Sequence, residues 1–217
     1  MPEMIRFVSV VTEDFPHGIS FDIHKGDFSA IVTPDGFPEE KLLDLMLGME
    51  KPGSGRITLL GSEITAMTEN GLLEIRKKIA LLHAGGGLIS NLRVLENAML
   101  QLGYNSDKKE DEIRDAAINA LNRVGYCGSL DELPGHLTLF ERRLVGFARI
   151  LITEPKLVIY NAAFEGVQEK EREKLANLAD QFHRETPGRT SLAITSDKRF
   201  LSGLKPDKIT GFDQVPK

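Results

Sequence analysis

The sequence is poor in several residue types and patterns that point to common functions. Its one cysteine, Cys127, excludes an internal disulfide and suits a reducing compartment such as the cytosol. Its 32 acidic residues outnumber its 27 basic ones, so the basic face of a typical nucleic-acid-binding protein is not expected. No run of 18 apolar residues occurs, and residues 1–4 have no signal-peptide pattern, so we expect no segment that crosses a membrane.

Metal-binding spacing is also missing. The five histidines form no H-x-x-x-H pattern, and a single cysteine allows no C-x-x-C pair. We therefore predict no metal site of the usual His and Cys kind.

What the sequence does contain is the pattern of an α/β fold. Strands are predicted at Ile5–Val11, Ile19–Ile23, Phe28–Val32, Arg56–Leu60, Ile79–Leu82, Leu157–Tyr160, Thr190–Thr195 and Lys208–Phe212. Helices are predicted at Glu39–Met49, Leu72–Lys78, Asp107–Val124, Thr138–Ile150 and Glu169–Arg184. Alternating strands and helices favour a largely parallel sheet. The helical stretch 85–152 predicts a subdomain inserted between 1–84 and 153–217, which together form the β core of a single domain.

The segment after the third predicted strand has the outline of a phosphate-binding loop but different chemistry. Such a loop follows G-x-x-x-x-G-K-[ST], with backbone N–H groups and a Lys around the phosphates and a hydroxyl on Mg²⁺. Aligned from strand to helix, Thr33 and Pro38 take the positions of the two glycines. Glu39 and Glu40 take those of the lysine and the hydroxyl residue. Only Gly36, at an inner position, suits the loop.

These substitutions oppose phosphate binding. A phosphate at a helix N-terminus is held by free N–H groups and the helix dipole, and Pro38 removes one donor. Glu39 and Glu40 themselves stabilise that helix end by about 0.3–1 kcal/mol each, and Asp35 is a candidate cap. Each Glu close to a phosphate would cost about 4 kcal/mol at an effective dielectric near 20. Lys41 does not compensate, because it lies roughly 200° round the helix from Glu39.

The order of elements and five local strings resemble the ATPase subunit of the ABC transporter (ATP-binding cassette) family, in particular its lipid-transport or export type. The strings are Gly18–Phe28, Leu42–Gly61, Gly87–Asn97, Arg142–Arg149 and Glu154–Ile159. The resemblance covers nearly the whole chain. It implies the ABC-type P-loop NTPase fold, with N-terminal antiparallel strands, a mixed or parallel sheet core and an inserted helical subdomain.

The resemblance also places the family's nucleotide motifs on residues of different chemistry. The Walker A Lys and Ser/Thr fall on Glu39 and Glu40. The other motif positions are Ala84 (Q-loop Gln), Leu137–Phe140 (signature), Asn161 and Ala162 (Walker B and catalytic carboxylate), Gln168 (D-loop Asp) and Ser196 (switch His). Phe15 is a weak candidate for the aromatic residue that stacks on adenine, and Gly36 a weak candidate for a phosphate contact. We therefore expect no catalytic residue and neither ATP nor Mg²⁺, the cofactors of the family.

The function that this resemblance implies is a non-catalytic ABC ATPase homologue, a structural or regulatory subunit of a transporter. Its partners would be a membrane permease, which the family contacts near Gly87–Asn97, and a competent ATPase subunit. Two alternatives stay open: a subunit that still binds ATP or hydrolyses it weakly, and a soluble regulator that binds another protein. We expect a cytoplasmic chain, peripheral on the inner membrane when bound to its permease and monomeric alone.

Three local features allow two interpretations each, and a fourth has one favoured interpretation. The run Gly85–Gly87 is either a hinge into the helical subdomain or a replacement phosphate cradle, and the hinge is favoured. Glu39 and Glu40 are either helix-capping acids, which is favoured, or a cation site. Arg142 and Arg143 are expected on a solvated helix face. Leu139 and Phe140 are either a partner contact or packed inward.

Overall fold

The computed structural model describes residues 2–34 and 36–211, except the side chain of Asn105. Its strands form two sheets. The strands are β1 Glu3–Val11, β2 Ile19–His24, β3 Phe28–Val32, β4 Ser54–Leu59, β5 Ser62–Glu63, β6 Ile79–Leu82, β7 Leu157–Asn161, β8 Thr190–Thr195 and β9 Lys208–Gly211. The predicted α/β fold, with antiparallel N-terminal strands and a parallel core, is confirmed.

The larger sheet has the strand order β6-β7-β8-β3-β9, and its paired strands are parallel. Its central strands are buried on both faces, which explains their nearly continuous apolar sequence. Because the strands are parallel, their carboxyl ends lie along one edge. Thr33, Asn161 and Thr195 are therefore brought to the same edge from three distant parts of the chain.

The smaller sheet is antiparallel, in the order β2-β1-β4-β5. Its inner face includes Phe7 and Phe21, whose ring centroids are 4.6 Å apart. One hydrophobic cluster joins this face to residues Leu42, Leu45 and Met46 and to one face of the parallel sheet. This packing fixes the helix that follows β3.

The helices are α1 Glu39–Met46, α2 Glu69–Arg76, α3 Val94–Asn105, α4 Glu110–Val124, α5 Leu139–Leu151 and α6 Glu169–Glu185. Helices α3, α4 and α5 contact one another, and α5 also contacts β6. Helix α5 begins with a capping box, in which the Thr138 hydroxyl accepts from the N–H of Glu141 at 3.2 Å. No helix among the described residues is both long and apolar enough to span a lipid bilayer.

Three predicted helix boundaries were wrong by three residues. Helix α4 begins at Glu110 instead of Asp107. Helix α1 ends at Met46 instead of Met49, and Met49 is 65% exposed. Helix α2 begins at Glu69 instead of Leu72, because the Thr68 hydroxyl caps it by accepting from the N–H of Gly71. Asp35, the candidate cap of α1, and Phe212, the predicted end of β9, lie outside the described residues. The domain boundaries remain a prediction.

Candidate functional site at the carboxyl edge of the parallel sheet

The loop between β3 and α1 uses its backbone donors within itself. The N–H of Phe37 donates to the carbonyl oxygen of Pro34 at 3.0 Å, and the N–H of Glu39 donates to that of Phe37 at 2.9 Å. Pro38, the N-cap residue of α1, has no N–H. Gly36 has a φ of +77° and lies in the exposed turn of this loop. Three successive backbone positions are thus closed to an anion at this helix end.

The phenyl ring of Phe37 anchors this loop. Phe37 is 8% exposed and lies 5.4 Å from the ring of Phe15, centroid to centroid. Phe15 is itself 3% exposed. Phe15 thus offers no free ring face, which contradicts its assignment as a base-stacking residue.

The Glu39 side chain turns back toward β3. Its Oε1 contacts the Thr33 hydroxyl, which also lies 3.2 Å from the carbonyl oxygen of Thr195. Partial burial raises the pKa of the Glu39 carboxyl above its ordinary value, opposed by the Thr33 hydrogen bond and assisted by the negative charge of Glu165. One hydroxyl hydrogen cannot serve two acceptors, so a proton on Glu39 would let both contacts be hydrogen bonds. Glu40, by contrast, is exposed.

A second carboxylate, Glu165, lies across the same edge, after the end of β7. Its Oε1 accepts from the Thr195 hydroxyl at 2.6 Å and from the N–H of Ser196 at 3.1 Å. The Ser196 hydroxyl is 3.3 Å from Oε2. Ser196, the switch-position residue, therefore serves to hold a carboxylate of its own chain.

The two residues at the end of β7 do not supply acid chemistry. Asn161 is 8% exposed, and its Oδ1 is buried without a hydrogen-bond partner in the part of the chain that the structure describes. Ala162 has a φ of +48°, and its N–H donates to the carbonyl oxygen of Ile194 at 2.9 Å. Its methyl group can neither polarise a water nor accept a proton.

Arg143 of α5 is buried, contrary to the expectation of a solvated helix face. It is 1% exposed, and burial lowers the pKa of its guanidinium to about 10. Its Nε donates to the carbonyl oxygen of Ala84 at 2.7 Å, and its Nη1 donates to that of Glu165. Ala84, at the Q-loop position, therefore contributes its backbone carbonyl oxygen, which accepts the hydrogen bond from Arg143.

Gly86, the middle residue of the glycine run after β6, is packed against α5, whereas Gly85 and Gly87 are exposed. A Cβ on Gly146 would stand 2.4 Å from the carbonyl oxygen of Gly86, and one on Gly86 would stand 2.5 Å from that of Arg142. The carbonyl oxygen of Gly87 accepts from Nη2 of Arg149 at 2.9 Å. These contacts oppose the interpretation of the run as a free hinge.

The remaining motif positions lie apart from these contacts. Gln168 is the exposed N-cap of α6, and its N–H donates to Glu171 at 3.0 Å. Leu139 and Phe140 are half-buried. The Phe140 ring packs against the main core, with the ammonium of Lys174 5.5 Å from its centroid, which favours inward packing.

A groove of about 450 Å³ opens beside β6. Its walls are mainly apolar, its basic members are Arg76, His83 and Arg149, and none of the acidic residues within 2–34 and 36–211 lines it. Tyr104, 83% exposed, stands at its border with a second pocket of about 450 Å³ between α3 and α4. Among the described residues, no carboxylate lies within ion-pair distance of Arg149.

Sequence reasoning missed two residues of this site, Glu165 and Arg143. Each acts through contacts with segments distant in the sequence, and neither occupies a motif position at which this chemistry is expected. Within residues 2–34 and 36–211, no group of three or more His, Cys, Asp or Glu could hold a metal ion.

Comparison with known proteins gives consistent results. Residues 16–164 match the family model described as "ABC transporter". The chain is 29% identical over 185 residues to the lipoprotein-releasing system ATP-binding protein LolD 1 of Chlorobium chlorochromatii, spanning 85% of this chain and 75% of that protein. It is also 29% identical over 186 residues to the methionine import ATP-binding protein MetN 1 of Rhodopseudomonas palustris, but spans only 49% of that protein.

Solved structures show the same architecture. The bacterial ABC transporter cassette MJ0796 superposes with a TM-score of 0.84 at 22% identity, covering 96% of this chain and 94% of that one, which shows the fold. The cbiO1 protein of Clostridium perfringens, part of the ABC transporter complex cbiONQ, superposes with a TM-score of 0.76 at 25% identity. It covers 91% of this chain and 80% of that one.

Proposed function

The chain belongs to the ABC transporter ATPase-subunit family, and from that premise we propose that it is a non-catalytic member, a structural or regulatory subunit that neither binds nor hydrolyses ATP. Its place would be at a membrane permease, alone or beside a competent ATPase subunit.

The observation that carries the proposal is the closed loop before α1 with the Glu39 carboxyl beside it. The phosphate position of a helix N-terminus needs free N–H groups and tolerates no added negative charge. Here two N–H groups are bonded within the loop, a third is absent at Pro38, and Glu39 lies where the family has a lysine. Glu165 adds a second carboxylate across the edge. The residues present do not fit Mg-ATP.

Hydrolysis is opposed by separate residues. Phosphoryl transfer depends on positioning and on stabilisation of the developing charge. Ala162 offers no acid or base, Asn161 offers a neutral amide, and Ser196 is bonded to Glu165. A chain that recovered weak ATP binding would therefore still lack the groups that promote hydrolysis.

The groove beside β6 supports a partner role. It combines apolar walls with Arg149, which has no carboxylate partner among the described residues, whereas Arg76 is paired with Glu69 at 2.7 Å. Apolar walls with one available guanidinium suit an apolar helix that carries a carboxylate.

Gly87, the first residue of the segment 87–97 where the family meets its permease, lines this groove, and Leu92 and Glu96 of the same segment line the second pocket. MetN and LolD are named as ATP-binding proteins of import and release systems, and cbiO1 as part of a transporter complex. A cytoplasmic chain docked on the inner face of the membrane follows from this role.

Two measurements test the proposal. Calorimetry with millimolar Mg-ATP is expected to give no saturable heat. Tight binding would refute the interpretation that the Glu39 carboxyl opposes phosphate binding. Co-expression with a candidate ABC permease from the same genome is expected to yield a complex that survives purification without nucleotide. A chain that binds no ATP and never associates with the permease would instead favour a soluble regulator.

A further inference from the structure

The guanidinium of Arg143 donates hydrogen bonds to backbone carbonyl groups instead of to a carboxylate. Burying a guanidinium is costly unless its hydrogen-bonding capacity is used, and its rigid fork suits two acceptors at fixed positions. The two acceptors, the carbonyl oxygens of Ala84 and Glu165, follow β6 and β7 respectively. The side chain therefore ties α5 to the ends of two strands of the parallel sheet.

Glu165 extends this connection to the other strands. Its carboxylate accepts from Thr195 and Ser196, which end β8. The carbonyl oxygen of Thr195 accepts from the N–H of Thr33 at 2.9 Å, and the Thr33 hydroxyl contacts Glu39. An unbroken series of hydrogen bonds thus runs from α5 across four strand ends to α1.

The backbone contacts between Gly86 and Gly146 leave little room for α5 to slide. The carbonyl oxygen of Gly86 lies where a Cβ of Gly146 would be, so the two backbones are in direct contact. Rotation of α5 against the sheet would break this contact and leave the Arg143 guanidinium without hydrogen-bond acceptors. A buried charge without hydrogen-bond partners is strongly unfavourable, so orientations of α5 that are slightly rotated from the observed one are disfavoured.

We propose that Arg143 and Glu165 form a nucleotide-independent lock that holds helices α3–α5 in one orientation against the parallel sheet. The inference rests on the proposed function, because a lock made of the chain's own side chains presents the groove in a fixed shape without ATP. The lock is an additional conformational property, because a chain could lose ATP binding without acquiring it.

Distances between spin labels test the lock. Cys127, which is exposed and whose thiol lies 3.7 Å from the carbonyl oxygen of Gly125, is first replaced by Ser. Labels are placed at Arg56→Cys on β4 and Arg114→Cys on α4, both at exposed positions. Double electron–electron resonance is then recorded with and without millimolar Mg-ATP. One narrow distance distribution, unchanged by nucleotide, is expected.

Two variants test whether Arg143 and Glu165 cause the single narrow distance distribution. Arg143→Lys keeps the charge but cannot reach both carbonyl oxygens, and Glu165→Ala removes the bond to β8 from a half-exposed loop. Each is expected to lose the single narrow peak. Each should also speed hydrogen exchange at 84–88 or 195–197 by about ten- to a hundredfold while amides elsewhere keep their protection. If Arg143→Lys fails to fold, Glu165→Ala decides. Arg184→Gln, which breaks a pair within α6, is the control.

The outcomes separate the two proposals. A broad or bimodal distribution without nucleotide overturns the lock and leaves the proposed function standing. A narrow distribution that Mg-ATP shifts overturns the proposed function. Folded variants that retain the narrow peak and the slow exchange overturn the assignment to Arg143 and Glu165.

Discussion

The Thr33 hydroxyl contacts the Glu39 carboxyl, which joins the end of β3 to the first turn of α1. The pKa of Glu39 is raised, so the folded state binds its proton more tightly than the unfolded chain does. Stability from this proton is fully present below the ordinary carboxyl pKa and is lost as the pH rises through the folded pKa. Glu39→Gln keeps a side chain that can bond Thr33 without that loss.

We therefore expect Glu39→Gln to be more stable than the natural chain at pH 7–8, with a difference that shrinks toward pH 4–5. The gain should stay under about 1 kcal/mol, because the carboxyl is only partly buried. Urea unfolding across this pH range measures it. The exposed Glu40→Gln is the matched control, because a gain at pH 7–8 that both variants share would not come from the burial of Glu39. A Glu39→Gln variant that is less stable at every pH would contradict the prediction.

The close approach of α5 to the glycine run gives a steric prediction. Gly146→Ala places a methyl group 2.4 Å from a backbone oxygen and 2.8 Å from Cδ1 of Leu82. Because one of these neighbours is backbone, we expect a loss of about 1–3 kcal/mol in the free energy of unfolding. Gly103→Ala in α3, where a Cβ would meet nothing within 4 Å, should instead gain about 0.5–1 kcal/mol. Thermal unfolding compares the two, and equal effects would contradict the packing described for Gly146.

Much of the fold could be predicted from local sequence. The strands β3, β6 and β8 were predicted to the residue, because each is a short apolar run next to turn residues. The start of α2 was missed although Thr68, a favourable N-cap residue, stood directly before it. That signal was in the sequence and was outweighed by the apolar run that begins at Leu72.

The site was harder to predict because its contacts are not local. The acidic first turn of α1 was expected from Glu39 and Glu40. Arg143 reads as a surface residue, since only the fold brings the carbonyl oxygens of Ala84 and Glu165, 59 and 22 positions away, to its guanidinium. The role of Glu165 likewise depends on β8, 30 positions further on.

Restoring the loop tests whether its substitutions alone prevent nucleotide binding. The triple variant Pro38→Gly, Glu39→Lys, Glu40→Thr returns a donor, removes two negative charges and adds a positive one. With about 4 kcal/mol at stake per close charge pair at a dielectric near 20, Mg-ATP affinity should rise by at least about tenfold. Hydrolysis should stay at background, since Ala162 and Asn161 are unchanged. Calorimetry and a phosphate-release assay measure the two.

The control for that variant is Glu110→Lys with Asp111→Thr, which makes the same charge change at the N-terminus of α4. Equal gains in affinity would show that overall charge, not the loop, is responsible. Phosphate release above background in the triple variant would mean that hydrolysis uses groups other than the motif positions.

The groove beside β6 predicts which surface residues binding to a permease depends on. Tyr104 is the most exposed of the large apolar side chains described, and it stands where the groove meets the pocket between α3 and α4. Tyr104→Asp should weaken the complex by more than tenfold, because truncating an aromatic residue that is an interface hot spot costs about 2 kcal/mol or more and the new charge enters an apolar wall. Ile209→Asp, on the 50% exposed position of β9, is the control. Both variants should fold, since Tyr104 is 83% exposed and Ile209 is 50% exposed. Co-purification from membranes compares them, and equal retention of the permease would place its contact elsewhere on the chain.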